Sequence, residues 1–313
     1  VTDAVTLHEN EIAIDPELVR SLVDSQFPEY AGRRLRRLDL TGSTNALFRL
    51  GEDHLVRLPL QPGNGAALEL ERHWADVFRP RLPVEVPRTV ALGRPDLGYP
   101  EPWSILAWLP GRRPEAYRPG DPTTPEQSRL AADLADVILA IRSAPLPDDA
   151  LRDPRLRGYR GRSLAEQDTT VRRYLADCRA NPDIDLDLDH ALAVWEEALQ
   201  LPGADRPGPD QWYHGDLVAE NLLITDGRLT AVIDFAVSVG DPTIDLHGAW
   251  ELFGPPAREI FRDRLGVDDA GWSRGRAWAL VIALGTFSYY WHTLPARRSD
   301  RLAMARNVLA DAR

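Results

Sequence analysis

The chain has 313 residues but no lysine, a single cysteine and a single methionine. Without lysine, all 37 basic residues are arginine, so every task usually given to an ammonium group falls to a planar guanidinium. Cys178 stands alone, which excludes an intramolecular disulfide and suits a reducing cytoplasm. No charged-then-apolar leader opens the sequence, so no secretory signal is read. Long apolar runs are missing too. The uncharged stretch Ala277 to Thr293 includes His292 and falls short of the roughly 20 residues of a comfortable membrane span, so a buried core helix is expected and no membrane partner. Positive charge is in deficit, with a net charge of −11, which argues against nucleic acid as a main partner and favours a cationic small molecule. What is present describes a soluble globular chain, 43% hydrophobic and 27% charged, long enough for two lobes around a large core.

The stretch Trp212 to Phe235 carries the densest chemistry. Leu222 to Thr225 and Leu229 to Ile233 flank Asp226-Gly227, the dipeptide suited to a tight turn with positive φ, so a hairpin is predicted. With the turn centred between residues 226 and 227, Asn221 falls opposite Val232, and Asp234 lies two residues, roughly 7 Å, further on. An amide oxygen and a carboxylate at that separation suit a hard divalent ion such as Mg²⁺, which takes the rest of its oxygens from phosphates and water. Asp216, five residues before Asn221, is then free to accept a proton from a hydroxyl attacking a γ-phosphate. The order His214-Gly215-Asp216, Asn221, Asp234-Phe235 resembles a kinase catalytic loop, with glycine where protein kinases carry arginine.

These residues, followed by Gly240-Asp241-Pro242 and Asp245, resemble the aminoglycoside phosphotransferase family. The resemblance implies an α+β, two-lobed, protein-kinase-like fold: a small antiparallel-sheet nucleotide-binding lobe over residues 1–104, and a larger, mainly helical catalytic and acceptor-binding lobe over 105–313. It also implies catalytic roles for Asp216, His214, Asn221 and Asp234, with Asn221 and Asp234 on Mg²⁺ and ATP or GTP as co-substrate. Gly42-Ser43-Thr44-Asn45, followed by Phe48-Arg49-Leu50, resembles the phosphate loop of the family. Arg57, in Val56-Arg57-Leu58-Pro59, takes the place of the lysine that kinases set on their third strand. Glu71, at the edge of the apolar face of a helix from Asn64 to about Arg79, is the expected partner that fixes Arg57, rather than Glu69. Backbone groups near Leu106 to Trp108, at the end of a strand from Trp103 to Leu109, are expected to read a purine edge.

Elsewhere Asp15-Pro16 predicts a helix to about Gln26, and strands are expected at Arg34 to Leu40, Ala46 to Leu50 and His54 to Leu58. Capping boxes at Thr124 and Ser163 start helices to Arg142 and about Arg179, and a third helix runs from Asp189 to Gln200. The acidic stretch Asp183 to Asp189 reads as a solvated loop with a helix cap, with docking of substrate amines as the alternative. Asp241-Pro242 opens a helix through Trp250, in which Asp241 is expected to hold the catalytic loop and Asp245 to serve the helix start. Helices from about Asp268 to His292 and from Ser299 to Ala312 close the chain, and Trp278, Tyr289, Tyr290 and Trp291 either fill the core or wall an acceptor pocket.

The function expected is transfer of a γ-phosphoryl group to a hydroxyl of a cationic small molecule, most simply an aminoglycoside. A macrolide or a small metabolite alcohol is the alternative acceptor. A nucleotide-binding regulator without turnover is a rival suggested by Arg57. A protein kinase is disfavoured, because no Ala-Pro-Glu segment follows Asp234 and little room is left for an activation loop before Asp241.

Overall fold

The computed structural model describes residues 10–38 and 44–311. The chain forms two compact units, one of Val1–Val77 with Val86–Pro110, the other of Phe78–Glu85 with Gly111–Arg313.

The first unit begins with α1 (Pro16–Gln26), which starts where the sequence says it should: Asp15 accepts the Leu18 N–H at 2.7 Å and proline occupies the first turn. Strands β1 (Leu35–Arg37), β2 (Asn45–Leu50) and β3 (His54–Pro59) follow, then α2 (Leu68–Phe78), β4 (Thr89–Gly93) and β5 (Trp103–Ala107). The strands make one antiparallel sheet in the order β1-β2-β3-β5-β4. Ala46, Phe48 and Leu50 alternate inward along β2, as a half-buried strand requires. Phe48 pairs with Val56, which in turn pairs with Ile105. Val19, Leu22 and Val23 of α1 close this face, where each fully buried aliphatic or aromatic side chain contributes roughly 1.5–3 kcal/mol. The helix expected from Asn64 is a 3-10 turn over Asn64–Ala67 before α2 proper.

In the second unit, α3 (Pro125–Ser143), α4 (Asp148–Arg152), α5 (Leu164–Ala180) and α6 (Leu188–Leu199) precede the short strands β6 (Gln211–Tyr213), β7 (Leu222–Thr225), β8 (Arg228–Val232) and β9 (Ser238–Gly240). Helices α7 (Ala249–Leu252), α8 (Pro255–Leu265), α9 (Asp269–Tyr290) and α10 (Pro295–Ala310) complete it. Ser163 and Glu166 form the reciprocal capping box at α5, and Thr124 caps α3 through the Gln127 N–H. Asp187 caps α6, while Asp185 and Asp189 are exposed ion-pair partners of Arg306 and Arg179, so the acidic stretch is the solvated loop with a cap. The middle of helix α9 is apolar on all sides because it is central, with Ala277 to Leu284 buried continuously. Among the described residues no helix is long and apolar enough to cross a membrane. Trp278 and Trp291 belong to the core, whereas Tyr289 is exposed.

The helix expected from Asp241 through Trp250 is broken. A 3-10 turn, Pro242–Leu246, is followed by α7, and the reason lies in His247. Its backbone N–H and its ring Nδ1 both bond the Ile244 carbonyl, so that carbonyl is already used where an α-helix would bond residue 248. Helix α8, opened by Pro255 and closed by Gly266 at positive φ, was not read from the sequence at all.

Candidate active site

The β7–β8 hairpin carries the site, and its turn is the one the dipeptide demands: Asp226 and Gly227 adopt φ of +52° and +72°. Its register differs from the expectation by one residue. Thr225 pairs with Arg228 and Ile224 with Leu229, but Leu223 then pairs with Ala231 and Leu222 with Val232. The extra residue, Thr230, is a β-bulge. Its carbonyl accepts the Glu85 N–H at 2.9 Å on the outer edge, which is why β8 departs from regular pairing there. In consequence the Ile233 N–H bonds the Asn221 carbonyl at 2.8 Å, so Asp234 lies one residue beyond the position opposite Asn221, and not two. Asp234 itself takes φ of +55°, unusual for a residue other than glycine, and is exposed.

Two further contacts fix the hairpin. Asp133 of α3, largely buried, receives the Arg228 guanidinium in bidentate fashion at 2.8 and 2.6 Å and the Leu229 N–H at 3.1 Å. On the far strand, Arg112 exchanges both backbone hydrogen bonds with Ile224, at 3.0 and 2.8 Å.

Asp216 stands at the centre. Its Oδ2 accepts the Asn221 side-chain N–H at 2.9 Å, and the same nitrogen donates to the Asp216 carbonyl at 2.9 Å. Its Oδ1 accepts from Nη1 of Arg160 at 2.7 Å. Desolvation opposes the negative charge here, but Arg160, with Arg301, His247 and His214 behind it, outweighs that penalty and holds the carboxyl well below the usual carboxylate range. Asp216 is therefore ionised and oriented at both oxygens.

His214, expected among the catalytic groups, has a holding role. It is buried, its Nδ1 accepts the Asp216 backbone N–H at 3.2 Å, and its ring packs edge-on against Phe235. Burial pushes its pKa down to about 4, so the ring is neutral and meets Asp216 through the backbone alone.

The roles expected of Asp241 and Asp245 are exchanged. Asp241 caps the following turn through the Thr243 N–H at 3.0 Å. Asp245, fully buried, holds the His214-Gly215-Asp216 loop, accepting the His214 N–H at 3.1 Å on each oxygen and the Gly215 N–H at 2.6 Å. Burial raises the Asp245 pKa to about 6, against the opposing pull of Arg142 and these backbone donors. The loop is pinned from the other side by Glu251, which accepts the Ala219 N–H at 2.8 Å, and by Glu220, whose carboxylate receives Arg297 at 2.9 Å and Arg301 at 3.0 Å from α10. Arg160, Arg297 and Arg301 were all missed. Nothing local marks them among the 37 arginines of the chain, and each of the three lies far from the loop in sequence.

In the first unit, Arg57 on β3 and Glu71 on α2 form an ion pair, and Glu69 turns instead to Arg72 at 3.3 Å. Gly42 and Ser43 lie outside the described residues. Thr44 accepts the Leu60 N–H through its carbonyl at 2.9 Å, and Asn45 donates to the Thr44 hydroxyl at 2.9 Å. Leu106 is buried within β5, and the N–H groups of Ala107 and Trp108 are taken by the carbonyls of Arg88 at 2.9 Å and Asp53 at 2.7 Å. A purine edge would therefore be read by backbone groups of this segment other than these two donors.

The donor set for a divalent ion fits on chemical grounds. The Asn221 nitrogen is committed to Asp216, which leaves its amide oxygen as the group to face a cation, and Asp234 adds a carboxylate. Among the described residues no group of three or more His, Cys, Asp or Glu could hold a metal alone. That is the expected case for an ion that takes its remaining oxygens from phosphates and water.

With this geometry in hand, the chain can be set beside known proteins. A family model described as the phosphotransferase enzyme family matches residues 36–278. Among solved structures, the ADP-bound aminoglycoside phosphotransferase APH(2'')-Ib is 17% identical, with a TM-score of 0.63 over 95% of this chain and 99% of that one. The GDP complex of aminoglycoside 2'-phosphotransferase-IIIa is 18% identical, with a TM-score of 0.65 over 95% and 98%. Macrolide 2'-phosphotransferase type I is 18% identical, with a TM-score of 0.63 over 97% and 100%. At such identities the likeness is one of fold, the kinase-like α+β fold expected from the sequence. Comparison with curated protein sequences finds no match.

Proposed function

Because the chain belongs to the phosphotransferase enzyme family, we propose that it moves the γ-phosphoryl group of ATP or GTP to a hydroxyl of a small molecule, with Asp216 facing that hydroxyl. The observation that carries the reading is the fixed set of Asp216, Asn221 and Asp234: one carboxylate held at both oxygens, one amide with its oxygen left over, and one exposed carboxylate beside it.

Asp216 orients the acceptor hydroxyl in line with the γ-phosphorus. The hydroxyl oxygen forms a bond to phosphorus as the bond to the β,γ-bridging oxygen breaks, and the hydroxyl proton passes to Asp216 and then to solvent. A carboxylate held well below its usual range is a weak base, so its main contribution is orientation, with proton uptake late in the transfer. This suits a loose transition state, in which the attacking oxygen needs little activation. Asn221 and Asp234 would hold Mg²⁺, which when bound neutralises charge on the phosphate oxygens. In the first unit, Arg57, fixed by Glu71, together with Gly42 to Asn45, serves the nucleotide phosphates, where the guanidinium fork can engage two oxygens.

The acceptor proposed is an aminoglycoside-type amine-bearing alcohol, in keeping with the net charge of −11 and the aminoglycoside phosphotransferases of like fold. A macrolide is the second reading, because a macrolide phosphotransferase matches along the whole of its own length. A coupled phosphotransfer screen of aminoglycosides, macrolides and small alcohols, with each nucleotide and with or without EDTA, tests both. Asp216→Asn is expected to bind nucleotide as the parent does and to lose transfer. Undiminished turnover in that variant would refute the assignment.

A further inference from the structure

The four residues between Asp216 and Asn221 are Leu217, Val218, Ala219 and Glu220, so the catalytic loop brings no cation of its own. One arrives from elsewhere. Arg160 sits on a 3-10 turn, Tyr159–Gly161, well upstream in the chain. Its Nη1 donates to the Gly215 carbonyl at 2.7 Å and to Asp216 Oδ1 at 2.7 Å, bridging the backbone and side chain of adjacent residues. Its Nε donates to the Tyr159 hydroxyl at 3.1 Å, which limits the swing of the guanidinium.

The turn that carries Arg160 is built to hold it there. A Cβ on Gly161 would stand 2.3 Å from the Tyr213 ring, and one on Gly240 would stand 2.4 Å from the Gly161 carbonyl oxygen, so turn and β6–β9 ribbon touch at backbone distance. The Asp241 N–H closes the contact by bonding the Gly161 carbonyl at 2.9 Å, and Gln167 bonds the Tyr159 carbonyl at 3.3 Å. Such closeness fixes the Cα of Arg160 relative to the loop, and no flexible reach is left to chance. Both ends of the Arg160–Asp216 pair keep about 30% of their side-chain exposure, so the pair faces solvent, where an acceptor could approach.

We propose that Arg160 is a positioning residue of the transfer centre: it clamps Asp216 Oδ1 while Asn221 clamps Oδ2, and thereby sets which lone pair of the carboxylate meets the acceptor hydroxyl. The inference rests on the phosphotransfer reading for its kinetic part and on geometry alone for its structural part. A partly exposed ion pair is ordinarily worth little to stability. Its value here is angular: a carboxylate held by one donor can rotate about its last torsion, which is broad and soft, and a carboxylate held by two cannot. Misplacement of a reacting group by about 1 Å is enough to cost on the order of 10²-fold in rate.

Arg160→Ala is the test, with three readouts. In steady-state kinetics with an acceptor found by the screen above, kcat is expected to fall by about 10²-fold with the nucleotide KM unchanged. Added methylguanidinium is expected to restore part of the lost turnover to Arg160→Ala and none to Asp216→Asn. A merely structural arginine would give neither the selective fall in kcat nor the rescue. In a crystal structure of Arg160→Ala, the Asp216 carboxylate is expected to rotate or to occupy two orientations. A carboxylate that keeps its place, or a kcat within about twofold of the parent, overturns the proposal. A parent protein inactive on every acceptor would overturn the phosphotransfer reading instead, and the carboxylate orientation would still decide the role of Arg160.

Discussion

Replacing Asp245 by alanine should cost more than any other single change in the loop's support, and the size can be worked out. The carboxylate is fully buried and serves two backbone donors, His214 and Gly215. Truncation leaves both N–H groups buried without an acceptor, at about 1–3 kcal/mol each, or ~2–6 kcal/mol together. Two terms modify that sum. Relief of a buried charge offsets part of it, since a pKa of about 6 against an ordinary 3.8 is worth ~3 kcal/mol at neutral pH. Against this, Arg142 loses one of the two carboxylates, Asp245 and Asp241, that face its guanidinium, and an uncompensated buried charge costs ~3–5 kcal/mol. The net expectation is a loss of about 2–8 kcal/mol. Asp245→Asn, which keeps one oxygen for Gly215 but turns an NH₂ toward His214, should lose part of this and remain folded. Urea unfolding followed by circular dichroism measures both, as a lower midpoint at constant slope. A loss below about 1 kcal/mol in the alanine variant would show that the loop's two N–H groups find other acceptors, and the account of Asp245 would fail.

Two further outcomes follow from the same geometry. Gly161→Ala should lose about 1–3 kcal/mol through overpacking against Tyr213, whereas Gly208→Ala, with no atom within 4 Å of the new methyl, should stay within about 0.5 kcal/mol; equal effects in the same unfolding assay would refute the close approach. His247 is buried and held neutral, with its pKa pushed from 6.5 down to about 4, so the folded state resists a proton that the unfolded chain accepts. Its contribution is complete above about pH 6.5 and is lost as the pH falls toward 4, up to ~3 kcal/mol. His247→Asn should therefore lose less stability than the parent between pH 7.5 and pH 5, and a parallel decline in the two proteins would contradict the argument.

How far the sequence disclosed this molecule depended on the range of the forces involved. Asp15-Pro16, Ser163 with Glu166, and Asp226-Gly227 act within a few residues, and each produced the cap or turn expected. The bulge at Thr230 was invisible because Glu85, which engages the outer edge of β8, lies far away in sequence. Asp241 and Asp245 exchanged roles for a similar reason. An aspartate before proline is a local cap signal and was one, while the carboxylate that reaches the catalytic loop is chosen by how the chain doubles back after Gly240. At the candidate site, the nearness of Asp216 to Asn221 was legible from their spacing, and the pairing of Glu71 with Arg57 from helical phase. Arg160, Arg297 and Arg301 were not, since each is defined only by a neighbour distant in sequence.

The grip of α10 on the loop sets an order of events during synthesis. Glu220 is held by Arg301, 81 residues later in the chain. At roughly 5–20 residues per second, a ribosome needs on the order of 4–16 s to add that length. Throughout that interval the loop with Asp216 and Glu220 already exists as polypeptide, together with Arg160, while Arg297 and Arg301 do not. A nascent chain therefore carries this loop before it carries the α10 clamp on Glu220, and the full bracing of the loop is a late event timed by translation.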